Sequence, residues 1–359
     1  MTVELEVVPQ GVPDKSIEDI AREATPKIAI LGVGGGGSNI VTWMDKKIIG
    51  ARTVALNTDA KHLTTSKADE RLIMGYSLTG GLGCGGFSEQ GAKAAEESAL
   101  EIEAAIGDAN LVFVAAALGG GTGTGAAPVV ARIARELGAL TIGVVTIPFD
   151  VEGTRVGKAK EGLRQLVDVC DSVVVIDNNK LRKMAGKLPV REAFAVANAR
   201  VTDFINNITE TLSMPGIMNL DFADVKAIMM GGGICAVGFG EGHGGTKVED
   251  AVTKAIDNQL LDVAEVGKAQ GAMVHVEGGE DMTLEDINRA GEMVLESVSK
   301  DARVVWGSKI NPNLEGKIRA TVVLAGVDSP FLMRQDKGSV MVSQSKPKVI
   351  KIKSQKAVE

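Results

Sequence analysis

The stretch Leu111-Val112-Phe113-Val114-Ala115-Ala116-Ala117-Leu118, followed by Gly119-Gly120-Gly121-Thr122-Gly123-Thr124-Gly125, decides the fold. Leu111 to Ala117 is an unbroken apolar run of strand length, as expected of a parallel strand covered on both faces. A helical pattern opens near Thr124, so the glycines join a strand to a helix. Such a loop is an anion site. Glycines let the backbone approach a phosphate, and the first helical turn supplies unpaired N–H groups at the positive end of the helix dipole. Thr122 and Thr124 add hydroxyls. No Lys follows the last glycine, so the run is not the GxxxxGK(S/T) P-loop. Phosphate charge here is to be met by backbone dipoles and a metal ion.

On either side of that run, short apolar segments alternate with helical patterns. Residues 27–33, 53–57, 140–147 and 172–177 read as further buried strands, and 38–47, 89–106, 124–137 and 157–169 as helices. This alternation predicts a doubly wound α/β domain over residues 27–188, with a parallel sheet and ligand loops at the C-terminal ends of its strands. Pro189 precedes a helical pattern from Val190 to about Leu212, longer than an ordinary globular helix, and Pro215-Gly216 lies beyond it. Residues 189–213 thus read as a central helix linking two domains. Residues 214–327 mix strands (234–240, 272–277, 302–308, 317–327) with helices (248–260, 283–299), the second opened by the cap Thr283-Leu284-Glu285-Asp286. That texture predicts a smaller α+β domain with a mostly β sheet. Residues 1–26 form an N-terminal extension, and the polar, lysine-rich residues 328–359 read as a flexible tail.

At 359 residues the chain exceeds the ~250–300 at which single cores stop growing, which also argues for two domains. Asp and Glu outnumber Lys and Arg, 46 to 39, and aromatic residues make up 3%. Neither a basic groove nor a base-stacking platform is evident, so nucleic acid is not an expected partner. Cys84, Cys170 and Cys235 are far apart with no CxxC spacing, as expected of reduced thiols in a cytoplasmic protein. No apolar run approaches the ~20 residues of a membrane span, and the first residues lack the order of a signal peptide. Direct insertion into a membrane is not expected.

The first strand ends in Gly32-Val33-Gly34-Gly35-Gly36-Gly37-Ser38-Asn39, a GxGxxG pattern between strand and helix, and Asp59 follows about twenty residues later. Alone, this pattern fits an NAD(P)-dependent oxidoreductase. A dinucleotide fold needs one phosphate loop, however. This chain has a second at Gly119–Gly125 and a third glycine cluster, Gly80-Gly81-Leu82-Gly83-Cys84-Gly85-Gly86, which on its own could equally be a tight turn. Several loops converging on one site suit a triphosphate.

Residues 118–128, Leu118 through Ala126-Ala127-Pro128, and a second string, Asn219-Leu220-Asp221-Phe222-Ala223-Asp224-Val225-Lys226, resemble the signatures of the tubulin/FtsZ family of filament-forming GTPases, the FtsZ branch in particular. The resemblance runs from about Lys27 to about Val327. It implies a GTP-binding domain at 27–188 and a C-terminal activation domain at 214–327, with GTP and GDP as ligands. Mg2+ and a monovalent cation such as K+ are the ions it implies, with no metal ligand assigned among the side chains. Gly35, Gly36, Gly37, Ser38 and Asn39 would hold phosphates together with Gly119–Gly125, and Gly83 and Gly85 would lie by the γ-phosphate. Glu152 and Arg155 would meet the ribose and phosphates, with Arg155 three residues after Glu152 where many relatives have four. Phe194 and Asn198, four apart and so on one helix face, would contact the purine and read its edge. By pattern alone Phe194 suits the core as well, and the preference for GTP over ATP comes from the resemblance rather than from Asn198.

The same resemblance makes Asp221, Asp224 and Asn219 the catalytic residues, inserted into a neighbouring subunit's nucleotide site to position a water. Read from the residues alone, Asp221 is an N-cap and Asp224 a first-turn acid favoured by the helix dipole; the two readings are compatible. Absence of a Ser, Cys or His nucleophile is no objection, because phosphoryl transfer asks for positioning and charge stabilisation. The implied assembly is a head-to-tail homopolymer at the division site. FtsZ relatives often bind a membrane-anchoring adaptor through a C-terminal peptide, and Val349, Ile350 and Ile352 among the lysines would serve here, unless the tail only solubilises.

Overall fold

The computed structural model describes residues 25–45, 48, 50–180, 189–213, 221–257 and 266–332. β1 (Ile28–Val33) is hydrogen-bonded in parallel to β2 (Ala51–Asn57) on one side and to β4 (Leu111–Ala117) on the other. β3 (Glu70–Ile73) extends the sheet beyond β2, and β5 (Leu140–Ile147) and β6 (Ser172–Asp177) extend it beyond β4. The order β3-β2-β1-β4-β5-β6 reverses its winding between β1 and β4. That reversal opens a crevice at the C-terminal ends of these two strands.

Alternation along the strands explains why they are apolar throughout. Ala29, Leu31 and Val33 of β1 face a layer made by α4 (Ser88–Glu97), α5 (Ala99–Ile106), α6 (Thr122–Glu136) and α7 (Thr154–Val169). Ile28 and Ile30 face the other layer, made by α1 (Gly34–Met44), α2 (Ala60–Thr65) and α8 (Val190–Ser213). In α8 the stripe Ala197, Val201, Phe204, Ile205 and Ile208 supplies that face at helical spacing. Phe204 meets Phe113 of β4 edge to face, with ring centroids 6.2 Å apart.

The C-terminal strands continue the same sheet. β7 (Gly233–His243) pairs in parallel with the start of β6, from Ser172↔Gly233 to Val174↔Cys235, and β10 (Lys317–Ala325), β8 (Gly271–Gly278) and β9 (Arg303–Ile310) follow. β10 lies between β7 and β8 and runs antiparallel to both. α10 (Lys247–Asp257) and α11 (Leu284–Ser297) pack on one face, and α9 (Phe222–Met229) on the other. The fold is therefore α/β, a ten-stranded and mostly parallel sheet whose last strands carry the C-terminal α+β part.

Three expectations shift. The helix expected over 89–106 breaks at Ser98, whose backbone leaves the helix (φ −101, ψ 25) and whose hydroxyl accepts the Gly75 N–H at 3.1 Å. A short helix, α3 (Tyr76–Thr79), and the edge strand β3 lie where no element was expected. Helices α1 and α6 begin at Gly34 and Thr122, inside the glycine runs rather than after them. The tail peptide at 349–352 and Asn219 lie outside the described residues.

Candidate nucleotide site

A cavity of about 400 Å³ lies at the β1/β4 crevice, a volume in the range of small-ligand sites. Its floor is the two helix starts. α1 and α6 open on it without any side-chain cap, in contrast to α2, α9 and α11, which Asp59, Asp221 and Thr283 cap. Neither α1 nor α6 carries an acidic residue in its first turn. Their leading N–H groups and dipoles thus await an anion.

The walls bring together residues far apart in sequence: Gly35, Gly36 and Asn39 from α1; Gly120, Gly121, Thr122 and Gly123 from the second loop; Glu152, Arg155, Phe194 and Asn198. Gly120 has no atom within 4 Å of where a Cβ would stand, and Gly35 only the His62 ring at 3.9 Å. These two glycines face open space. The others are small for packing: a Cβ on Gly37 would meet Ala115 O at 2.3 Å, and one on Gly121 would meet Phe87 N at 2.9 Å and Cys84 Cβ at 3.0 Å. Glu152 and Arg155 are joined by an ion pair of 3.0 Å, so the spacing of three places both on the wall. Glu152 Oε1 also accepts the Phe149 N–H at 3.0 Å, which fixes the loop before α7.

Phe194 is half exposed and stands edge-on to Phe149, 6.1 Å between centroids, so it belongs to the cavity and not to the core. Ala197 and Asn198 follow it along the same wall. Thr124 is placed differently from the expectation: its hydroxyl accepts the Gly119 N–H at 2.8 Å and shapes the loop from behind. Ser38, Gly37, Gly119, Gly125, Gly83 and Gly85 likewise stand off the wall. The Gly83–Gly86 loop touches the Gly119–Gly125 loop through Gly121 and is held by Lys158 Nζ donating to Gly86 O at 2.7 Å. Asp59 does not line the cavity; its carboxylate caps α2 by accepting the His62 N–H at 3.0 Å.

Comparisons with known proteins show the family. The tubulin/FtsZ family GTPase domain matches residues 27–186, and the FtsZ family C-terminal domain matches residues 233–328. The chain belongs to the FtsZ family. Cell division protein FtsZ 2 of Methanocaldococcus jannaschii is 43% identical over 92% of this chain and 87% of its own. Cell division protein FtsZ 1 of Halobacterium salinarum is 44% identical over 90% and 83%. A solved structure of an empty M. jannaschii FtsZ dimer superposes with a TM-score of 0.81 at 42% identity, covering 87% of this chain and 93% of that one. The family is one of tubulin-like GTPases of cell division, and nothing in the site or in these relationships supports the oxidoreductase reading.

In this FtsZ chain the acids lie far from the cavity. α8 carries Phe194 and Asn198 at its cavity end and runs to Ser213, about 28 Å away at the rise of an α-helix. Ser213 there approaches Gly50, at the start of β2 and so at the opposite edge of the sheet. α9 lies at that edge too, its Met229 O accepting from Ser172, the first residue of β6. Asp221 caps α9 by accepting the Asp224 N–H at 2.8 Å. The sequence reading missed Asn178, Thr146 and Pro148, which also line the cavity. Their signal was position alone, at or just past the C-terminal ends of β5 and β6, where crevice ligands sit. Burial pushes the neighbouring Asp177 carboxyl above its usual range, against the pull of two N–H donors from Asn179.

Proposed function

We propose that the chain binds GTP in this cavity, assembles head to tail into polar protofilaments at the division site, and hydrolyses GTP at the contact between subunits. One observation carries the reading: the cavity and the acids Asp221 and Asp224 occupy opposite edges of one sheet. A chain cannot bring these acids to its own nucleotide, whereas a second copy stacked on the cavity edge can. Head-to-tail contacts that do not close by rotation give open filaments, which is the assembly proposed. A 42%-identical relative solved as a dimer is in keeping with self-association.

In the composite site the uncapped starts of α1 and α6 would bind phosphates, Phe194 and Asn198 the base, and Glu152 with Arg155 the ribose and its flank. The neighbour's Asp221 and Asp224, with Asn219, would orient water for in-line attack on the γ-phosphate. Among the described residues no group of three His, Cys, Asp or Glu side chains is arranged to hold a metal. Mg2+ would therefore arrive on the phosphates, completing its shell with water, and would stabilise their charge. Hydrolysis then depends on assembly and drives turnover. Among the described residues no helix is long and apolar enough to cross a membrane, so attachment of filaments would use an adaptor, through the tail.

Light scattering with GTP, GDP and ATP, run beside phosphate release, tests the reading. GTP alone should raise scattering, and phosphate release should climb more steeply than protein concentration. Release strictly proportional to concentration, with no change in scattering, refutes the composite site.

A further inference from the structure

Thr58 stands where β2 ends, wholly buried and outside the cavity wall, yet it touches both neighbouring loops. Its carbonyl accepts the Gly83 N–H at 3.0 Å, and its own N–H donates to Asn57 Oδ1 at 2.9 Å, so its backbone is held. Its hydroxyl lies 2.7 Å from the Thr122 hydroxyl, and the Cys84 thiol donates to it at 3.4 Å. Thr122 is the first residue of α6 and lines the cavity.

A hydroxyl has one hydrogen and two lone pairs. With the Cys84 S–H pointing at Thr58 Oγ1, the buried hydrogen of Thr58 has Thr122 Oγ1 left as its acceptor and turns to it, because leaving it unpaired would cost the full desolvation of a donor. Thr122 then accepts on its buried side, and its own hydrogen turns to the cavity. Phosphate oxygens only accept, so a hydroxyl in a phosphate cradle is useful only as a donor. We propose that Cys84, Thr58 and Thr122 form a one-way hydrogen-bond relay that presets the Thr122 hydroxyl as a donor to a nucleotide phosphate, with Thr58 as the positioning residue. The proposal rests on the nucleotide reading of the cavity. The relay also ties the Gly83–Gly86 loop to the phosphate loop, because Gly83 and Cys84 hang on the two ends of Thr58.

Thr58→Val keeps the shape of the side chain and removes the hydroxyl. Displacement titrations with GTP, GDP and guanosine, on full-length protein kept below assembling concentration, should show GTP and GDP binding about threefold to tenfold weaker, the worth of one neutral hydrogen bond. Guanosine, which has no phosphate, should bind as to wild type. Thr58→Ser should restore GTP and GDP. Thr58→Val combined with Thr122→Val should be no weaker than Thr122→Val alone, since both act through one hydrogen. Unchanged GTP and GDP affinity in Thr58→Val, equal loss for guanosine, or additive losses in the double variant would each overturn the relay while leaving the nucleotide site in place. A wild-type protein with no affinity for GTP would overturn both.

Discussion

Replacing Asp221 by Ser and by Ala separates the capping role of this carboxylate from the water-positioning role proposed for it. Its backbone is extended (φ −86, ψ 167) and its Oδ1 accepts the Asp224 N–H at 2.8 Å, the geometry of an N-cap. Ser caps about as well as Asp, whereas Ala loses the cap at a cost of about 1 kcal/mol. With about 2.1 cal/mol/K of unfolding entropy per residue, a chain of this length loses about 1–2 °C of Tm for that amount. Neither substitution touches the cavity, so GTP affinity in nucleotide binding assays should stay at wild type for both. Phosphate release under assembling conditions should fall by about 10²–10⁴ in both, because each removes the carboxylate proposed to position water. The expected pattern is thus Ser stable and inactive, Ala slightly less stable and equally inactive. Asp224→Asn should match the activity loss while keeping the cap, which uses its N–H and not its side chain, and should lower Tm only by what the first-turn charge contributes, about 0.3–1 kcal/mol. Wild-type turnover in Asp221→Ser would refute the catalytic role, and equal Tm values for Ser and Ala would refute the capping role.

Gly120→Val should abolish GTP binding at unchanged Tm, its side chain entering open cavity, whereas Gly121→Val should also lower Tm because it pushes into Phe87 N and Cys84 Cβ; calorimetry with GTP titration checks both, and equal Tm losses refute the division. Burial holds the His275 imidazole below its ordinary 6.5, with Glu277 pulling the other way. The unfolded chain therefore binds the proton more readily, so this contribution to stability is whole well above pH 6.5 and is lost as pH falls from there towards the lower folded value. Between about pH 7 and 5.5 the Tm of wild type should fall more steeply than that of His275→Phe; parallel curves refute it. Deleting residues 345–359 should leave GTP hydrolysis and filaments intact in solution while dispersing the ring in cells, and an intact ring by fluorescence microscopy refutes the adaptor role.

Strands β1, β4, β5 and β6 were legible because burial on both faces leaves almost no polar residue in them. The strand Glu70-Arg71-Leu72-Ile73 was not, since at the sheet edge its first two residues are charged and exposed, which leaves only Leu72 and Ile73 as an apolar signal. The starts of α1 and α6 were hidden by glycine itself. Four successive glycines, Gly34–Gly37, argue for a loop by propensity, yet they are helical because Gly36 and Gly37 must lie against Ala117 and Ala115 of β4. Tertiary packing wins over propensity there. In the site, the glycine runs told where the phosphates would go but not which residue faces them: Gly120 and Gly121 are indistinguishable in sequence and opposite in environment. The Glu152 and Arg155 pair was legible only as a family pattern with a shifted spacing, which the ion pair accommodates. Asn178 carried no motif at all.

Helix α8 joins the two halves through an apolar stripe and a set of polar groups. Val201, Phe204, Ile205 and Ile208 bury an apolar stripe, anchored by Phe204 on Phe113 of the nucleotide half. On the side of the C-terminal strands apolar and polar contacts mix: Phe204 and Ile208 share a buried cluster with Val237, Phe239, Met273 and Val323, Asn207 and Thr321 hydrogen-bond at 2.9 Å, and Glu210 pairs with Lys309 while accepting from Asn206 at 2.8 Å. Around this seam Asn206 Oδ1, His275 Nδ1 and Ser308 Oγ are buried without a partner. A close-packed apolar stripe resists sliding, because any shift opens voids. A polar seam whose groups are already incompletely satisfied has less to lose, as water or a new partner can replace what is broken. α8 is thus held to the C-terminal strands by an apolar cluster as well as by its polar groups, while Phe194 and Asn198 at its other end line the cavity.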